Sequence, residues 1–203
     1  DFQKLDTVIR EKVPSGFNIR NQAHRMADEI DLTALHCYKS IKADRAYCSI
    51  GTLGGGNHFI EVDQDENGDS YLVIHSGSRC LGLEVTNYYL KAGKAYLQEK
   101  GCVIPHELTY LEGELMQQYL EDIQIVQKFA AINREAILTE IVKGMKWKVQ
   151  ESYSCIHNYV ESAETSYTGA PIIRKGAISA KKGEKVIIPV NMQAGIILGT
   201  GKG

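Results

Sequence analysis

The chain opens on a short helical pattern, Leu5 to Val13, stopped by Pro14 and Gly16. A second helix is expected from Gln22 to Leu35, with Ala23, Met26, Ala27 and Ile30 on one side. The segment "LEVTNYYLKAGKAYLQEK", Leu83 to Lys100, also reads as helical. From Met116 to Met145, apolar residues at Leu120, Ile123, Val126, Ala130, Ile137 and Ile141 keep a helical period long enough for one long helix. Between these stretches lie short strand-like runs. "HFIEVD" and "YLVIHS" flank the turn-forming "QDENGD", and "APIIRKGAIS" and "KVIIPVNM" flank "AKKGE", which reads as a hairpin break. Helices and short strands mix without a regular βαβ alternation, an internal repeat or a low-complexity linker. The pattern predicts a single-domain α+β fold with mixed short strands, hairpins and a long helix.

Composition changes this picture little. At 203 residues, 43% hydrophobic and 24% charged, the chain has the make-up of an ordinary globular domain. A formal net charge of −2 provides no overall positive field, so any nucleic-acid contact must come from a local patch. No apolar run is long enough to span a bilayer, and the start carries no signal-peptide pattern. The five cysteines, Cys37, Cys48, Cys80, Cys102 and Cys155, are scattered singly with no C-x-x-C. They are expected to be small buried apolar residues in a reducing, cytoplasmic setting.

The chemistry concentrates around "SIGTLGGGNHFIEVD", Ser49 to Asp63. Glycine is costly to order, so four in six residues before a histidine mark a close approach of backbone to something else. Phosphate is one candidate, because glycine lets backbone N–H groups face an anion. "HSGSR", His75 to Arg79, is a second such loop with two hydroxyls and a guanidinium, and "RKGA", Arg174 to Ala177, adds two cations beside a glycine. Taking Asn67-Gly68 as a two-residue turn places His75 opposite Ile60 and Gly77 opposite His58. His58 and His75 then share a face at the open end of the hairpin. With His157 in "SCIHNYVE" they form a candidate imidazole set for zinc, iron, nickel or manganese, serving one ion or two. A lone histidine is better read as a hydrogen-bonded structural residue, the reading kept for His24, His36 and His106, whereas three, two of them at strand ends beside glycine-rich loops, favour a metal. Three nearby patterns fail as motifs. Asp63, Asp65, Asn67 and Gly68 begin like a calcium loop, but Ile74 stands where the bidentate Glu is required. Lys202 of "GTGKG" is not followed by Ser or Thr, and "HSGSR" is not a nucleophile elbow.

"GTLGGGNHFIEV", "HSGSR", "HNY" followed by Glu161, and "RKGA" resemble, in order and spacing, the RtcB family of RNA ligases. "LDTVIREKVPSGF" resembles the same family, and "IPVNM…GTGKG" resembles a divergent subgroup of it. The resemblance implies an RtcB-like fold. The implied activity joins RNA 3′-phosphate or 2′,3′-cyclic phosphate ends to 5′-hydroxyl ends, as in RNA repair or tRNA splicing. It runs through a guanylylated histidine, with GTP and two Mn²⁺ ions. Carried across, His58, His75 and His157 are implied metal ligands. Asn57, His58, Phe59, Ile60, Glu61, Asn158, Pro189, Asn191 and Met192 are implied guanylate contacts, and Arg79 and Lys175 implied phosphate or RNA contacts. The family's remaining Asp and Cys ligands and its guanylylated histidine have no counterpart within residues 1–203. The chain therefore reads as the central part of one RtcB-like catalytic domain, inactive as a ligase by itself. Two other readings compete: a catalytically incomplete nucleotide- or RNA-binding fragment, and a metal-dependent phosphoesterase using the histidines alone.

Overall fold

The computed structural model describes residues 1–191 and 193–203. The fold is α+β, built from helices and small two-stranded sheets. The chain packs into two compact units. One comprises residues 1–60 and 74–147, the other residues 61–73 and 148–203.

The first unit is helical. Helix α1, Phe2–Lys12, is capped by the Asp1 side chain, which accepts from the Lys4 N–H at 3.1 Å. It carries Arg10 and Lys12 in its last turn and ends at Lys12, leaving Val13 extended before Pro14, as a proline disfavours helix at the residue before it. After it come α2, Ala43–Ser49, α3, Arg79–Glu99, and α4, Gly113–Met145. The α4 stripe buries Val126, Phe129, Ile132 and Ala136 against Leu81, Val85 and Tyr89 of α3 and against Leu32, Leu35 and Ile50. The expected helix over Gln22–Leu35 is absent. That stretch forms two 3₁₀ turns, Arg25–Glu29 and Leu32–Ala34. The local caps explain the break: His24 Nδ1 accepts from the Met26 N–H, and Asp31 Oδ1 from the Thr33 N–H.

Strands β1, Phe59–Gln64, and β2, Ser70–His75, form the expected hairpin, but its turn is one residue longer than a two-residue Asn-Gly turn. Asp65 N–H donates to Asp69 O at 3.0 Å, closing a loop of Glu66, Asn67 and Gly68. The Asp65 carboxylate stabilises this loop by accepting from the Asn67 and Asp69 N–H groups, both at 2.9 Å. Gly68 takes φ +88°. The matched strand ends are therefore Phe59 and His75, not Ile60 and His75.

The second unit holds two further antiparallel pairs. Strand β3, Asn158–Glu161, pairs with β4, Ile172–Lys175; β5, Lys185–Asn191, pairs with β6, Gly195–Thr200. "AKKGE" does form a turn, with Glu184 N–H donating to Lys181 O, but the strands on either side of it pair elsewhere. Two strands that looked like one hairpin's arms thus belong to different sheets. The cysteines are all free; Cys37 is buried, Cys80 is exposed, and the other three lie between.

Candidate functional site

The glycine-rich loop is held from behind by one buried side chain of α4. Asn133 Oδ1 accepts from the N–H groups of Gly51 (2.8 Å) and Thr52 (3.1 Å). Its amide nitrogen donates to Ser76 Oγ and Gly77 O, both at 3.0 Å. A single amide therefore ties the "GTLGGG" loop to the "HSGSR" loop. Arg134, its neighbour, donates to Ser76 O at 3.2 Å. Neither residue stood out in the sequence, although a polar Asn133 in the register of Phe129, Ala136 and Ile137 interrupts an otherwise apolar stripe.

The glycines make room for an arginine. Arg79 begins α3 with φ +56°, a strained backbone for a residue with a side chain. Its Nε donates to Thr52 Oγ1 at 3.1 Å, and its Nη2 to Gly16 O at 3.3 Å. A Cβ on Gly54 would lie 1.8 Å from Arg79 Nη1. Gly54 (φ +91°) is thus required both by its own backbone and by the guanidinium packed against it. On the other side, Gly16 N–H donates to Gly54 O at 2.8 Å and Leu53 N–H to Pro14 O at 2.9 Å, so the "VPSG" and "GGG" loops form one layer.

His58 and His75 meet over this layer, with ring centroids 5.5 Å apart and planes at 84°. They meet despite the longer turn, because His58 lies before the first strand residue, where the chain has left the pleat. His75 Nδ1 bonds to Asn57 O at 2.9 Å. A carbonyl only accepts, so Nδ1 carries the proton and the neutral ring's lone pair is on Nε2. His75 also stacks edge-on against Phe59 at 5.2 Å. His58 Nδ1 lies 3.3 Å from Arg79 Nη1, which can only donate to it. Burial, then the charges of Arg79 and His75, hold the His58 pKa below its ordinary value. His58 is therefore kept neutral, and because its Nδ1 accepts from Arg79 its proton is on Nε2, so holding a metal requires Arg79 to give up that nitrogen.

Along β1, Ile60 sits half-buried, and Glu61 and Asp63 follow two apart on one face. Burial and the neighbouring Asp63 raise the Glu61 pKa.

In the second unit the "HNY" and "RKGA" motifs come together. Asn158 pairs with Lys175 in the β3–β4 register, and Asn158 Oδ1 accepts from Gly176 N–H at 2.9 Å. His157 O accepts from Ala177 N–H at 3.0 Å. Buried Glu161 binds Arg174 at 2.6 Å and Lys181 at 2.5 Å, and these two cations hold its carboxyl below the usual range. Arg174 is thereby committed to the protein, and Lys175 is the exposed cation of this motif. Pro189 lies opposite Ile196 beside a register shift, and Asn191 Oδ1 caps the following turn by accepting from Gln193 and Ala194 N–H groups. Met192 lies outside the described residues.

A model of the family described as tRNA-splicing ligase RtcB matches residues 3–203. The chain belongs to the RtcB family. It is 35% identical over 162 residues to the RNA-splicing ligase RtcB of Escherichia coli K12, a match covering 73% of this chain and 40% of that protein. It is 26% identical to the tRNA-splicing ligase RtcB of Nanoarchaeum equitans over 93% of this chain and 48% of that protein. The chain thus spans less than half the length of either RtcB relative.

For a metal of the RtcB type, the fit is partial. Two imidazoles side by side, His75 with its Nδ1 proton held by a carbonyl and His58 once Arg79 gives up its Nδ1, suit two positions of a divalent transition-metal ligand set. Among the described residues, no group of three or more His, Cys, Asp or Glu side chains is assembled to hold a metal ion.

Proposed function

We propose that the protein carrying this chain is an RNA ligase that joins RNA 3′-phosphate or 2′,3′-cyclic phosphate ends to 5′-hydroxyl ends, using GTP and Mn²⁺. The observation that carries this reading is the His58–His75 pair, seated with Arg79 on a glycine-rich layer, in a chain of the RtcB family. His58, His75 and His157 are the proposed Mn²⁺ ligands. Manganese, when bound, supplies electrostatic stabilisation of charge on the transferring phosphoryl group.

The remaining roles fall to the chain's own groups. Asn57 O fixes the His75 ring, so that ring meets a ligand without reorienting. Arg79 brings a permanent cation beside both the imidazoles and the loop amides, where a phosphate is to be neutralised. Asn57, Phe59, Ile60, Glu61, Asn158, Pro189, Asn191 and Met192 are the proposed guanylate contacts, and Lys175 the second phosphate contact. A cytoplasmic setting goes with an RNA substrate. Among the described residues, no helix is long and apolar enough to cross a membrane.

Labelling of the full-length protein with radioactive GTP tests the reading. His75→Ala is expected to abolish Mn²⁺-dependent guanylylation; undiminished labelling removes His75 from the metal site. Asn57→Ala deletes a side chain but leaves the carbonyl that orients His75. It is therefore expected to weaken guanylate binding more than Mn²⁺ binding by calorimetry, and the opposite order would sink its assigned role.

A further inference from the structure

A groove of roughly 750 Å³ is lined by residues flanking the "VPSG" loop and by the last turns of α4. Lys12, Arg20, Arg25 and Lys143 line it, with Pro14 at one wall. Two carboxylates, Glu11 and Glu140, also face it, so cations outnumber acids there although the whole chain is slightly acidic. Glu140 is partly spent on His24, whose Nε2 lies 3.3 Å away. Arg20 anchors the floor by donating to Lys12 O, Ile50 O and Gly51 O. Lys12, Arg25 and Lys143 are exposed, and among the described residues none of the three makes an ion pair.

The groove is joined to the histidine site through a few backbone bonds. Pro14 lines the groove and accepts from Leu53 N–H; Gly16 bonds both Gly54 and Arg79; Arg79 reaches His58. Phe17, 96% exposed, stands in the same loop, between Pro14 and Ile19 in sequence, both of which line the groove. A lone exposed aromatic usually needs no explanation. One carried on a backbone-bonded loop whose residues line a cationic groove has the make-up of a stacking platform, since single strands are bound by cations along the backbone and aromatics under the bases.

We propose that this groove holds the single-stranded RNA leading to the ligation site, with Lys12, Arg25 and Lys143 on its phosphates and a base stacked on Phe17. The proposal rests on the ligase reading for its choice of ligand. Its two contacts differ in physics and so in salt dependence. Each phosphate contact to a single strand contributes about 0.7 to the slope of log K against log salt. Stacking contributes affinity with no such slope.

The test is fluorescence anisotropy of a labelled single-stranded oligoribonucleotide on the full-length protein, from low to moderate salt. Lys12→Gln/Arg25→Gln/Lys143→Gln is expected to flatten the slope by about 2. Phe17→Ala is expected to weaken binding roughly tenfold at every salt concentration, with the slope retained and Phe17→Trp restoring affinity. Circular dichroism melts establish that the variants fold. Wild-type slope in the triple variant, or wild-type affinity in Phe17→Ala, overturns the proposal. Guanylylation of the wild-type protein is read in parallel. Failure there overturns the ligase reading, whereas normal labelling with unchanged RNA binding in the variants overturns the groove alone.

Discussion

Gly54 and Gly68 both take positive φ, but for different company. Gly68 turns the β1–β2 loop with only Gln64 Nε2 nearby, at 4.0 Å from where a Cβ would stand. Gly54 faces Arg79, which would have to move. Gly68→Ala is expected to cost about 1 kcal/mol, the strain of left-handed backbone alone. Gly54→Ala is expected to cost about 2–3 kcal/mol, because it adds the displacement of a hydrogen-bonded guanidinium. Urea denaturation of the two variants compares them; equal losses would mean that Arg79 gives way freely. The thiols show the same dependence on company. Burial, then Asp122, pushes the Cys37 pKa up to about 12, which marks a structural rather than a reactive cysteine.

Helix α4 does more than supply a core stripe. Its Asp122 accepts from His36 N–H, Cys37 N–H and the Tyr89 hydroxyl, and its Asn133 holds both loops of the histidine site. A buried amide left without its acceptor costs about 1–3 kcal/mol. Asn133→Ala strands the Gly51 and Thr52 amides together and is expected to lose about 3 kcal/mol. Asn133→Asp keeps the acceptor but turns a buried carboxylate oxygen toward Gly77 O, so it is expected to destabilise strongly at neutral pH and to recover as the carboxyl is protonated. Chemical denaturation at about pH 7 and about pH 4 checks this, and a loss independent of pH would show that the buried charge is not what matters.

Taken as a whole molecule, the two units are stabilised unequally. The first has a continuous apolar core. Among the described residues of the second, the buried ones are Glu161, Val186 and Gly201. That unit leans on the Glu161–Arg174–Lys181 cluster, and its amides are expected to exchange with solvent ahead of those of α3 and α4. Glu161 is held below its ordinary value of 4.5, so the folded form binds the proton less readily than the unfolded form. The stabilisation is therefore complete above about pH 4.5 and is lost as pH falls through the lowered value. Amide exchange followed from about pH 7 to about pH 3 should show the second unit loosening at the acid end. Glu161→Gln should flatten that dependence, and an unchanged acid response in the variant would assign it to other carboxylates.

What the sequence alone determined is what local pattern and motif order encode. The apolar period placed α1, α3 and α4 within a few residues of their observed ends. Strand-like runs marked β1, β2, β4 and β5 but not their partners β3 and β6, nor the short α2; the breakers placed the turns, and the blocks around His58, His75, Asn158 and Lys175 pointed to the family. The tertiary structure alone decided which partners those pieces took. Strand β4 pairs with β3 and not with β5, because pairing depends on groups distant in the chain rather than on the turn between two strands. The Asp65 side chain lengthened the β1–β2 turn, and local caps at His24 and Asp31 broke a helix that periodicity favoured. The glycines before His58 were legible as a demand for space. That the space at Gly54 is filled by Arg79, and that Asn133 holds the loop, required the fold, since each bond joins residues about 25 to 80 positions apart, and sequence patterns do not encode contacts at that range.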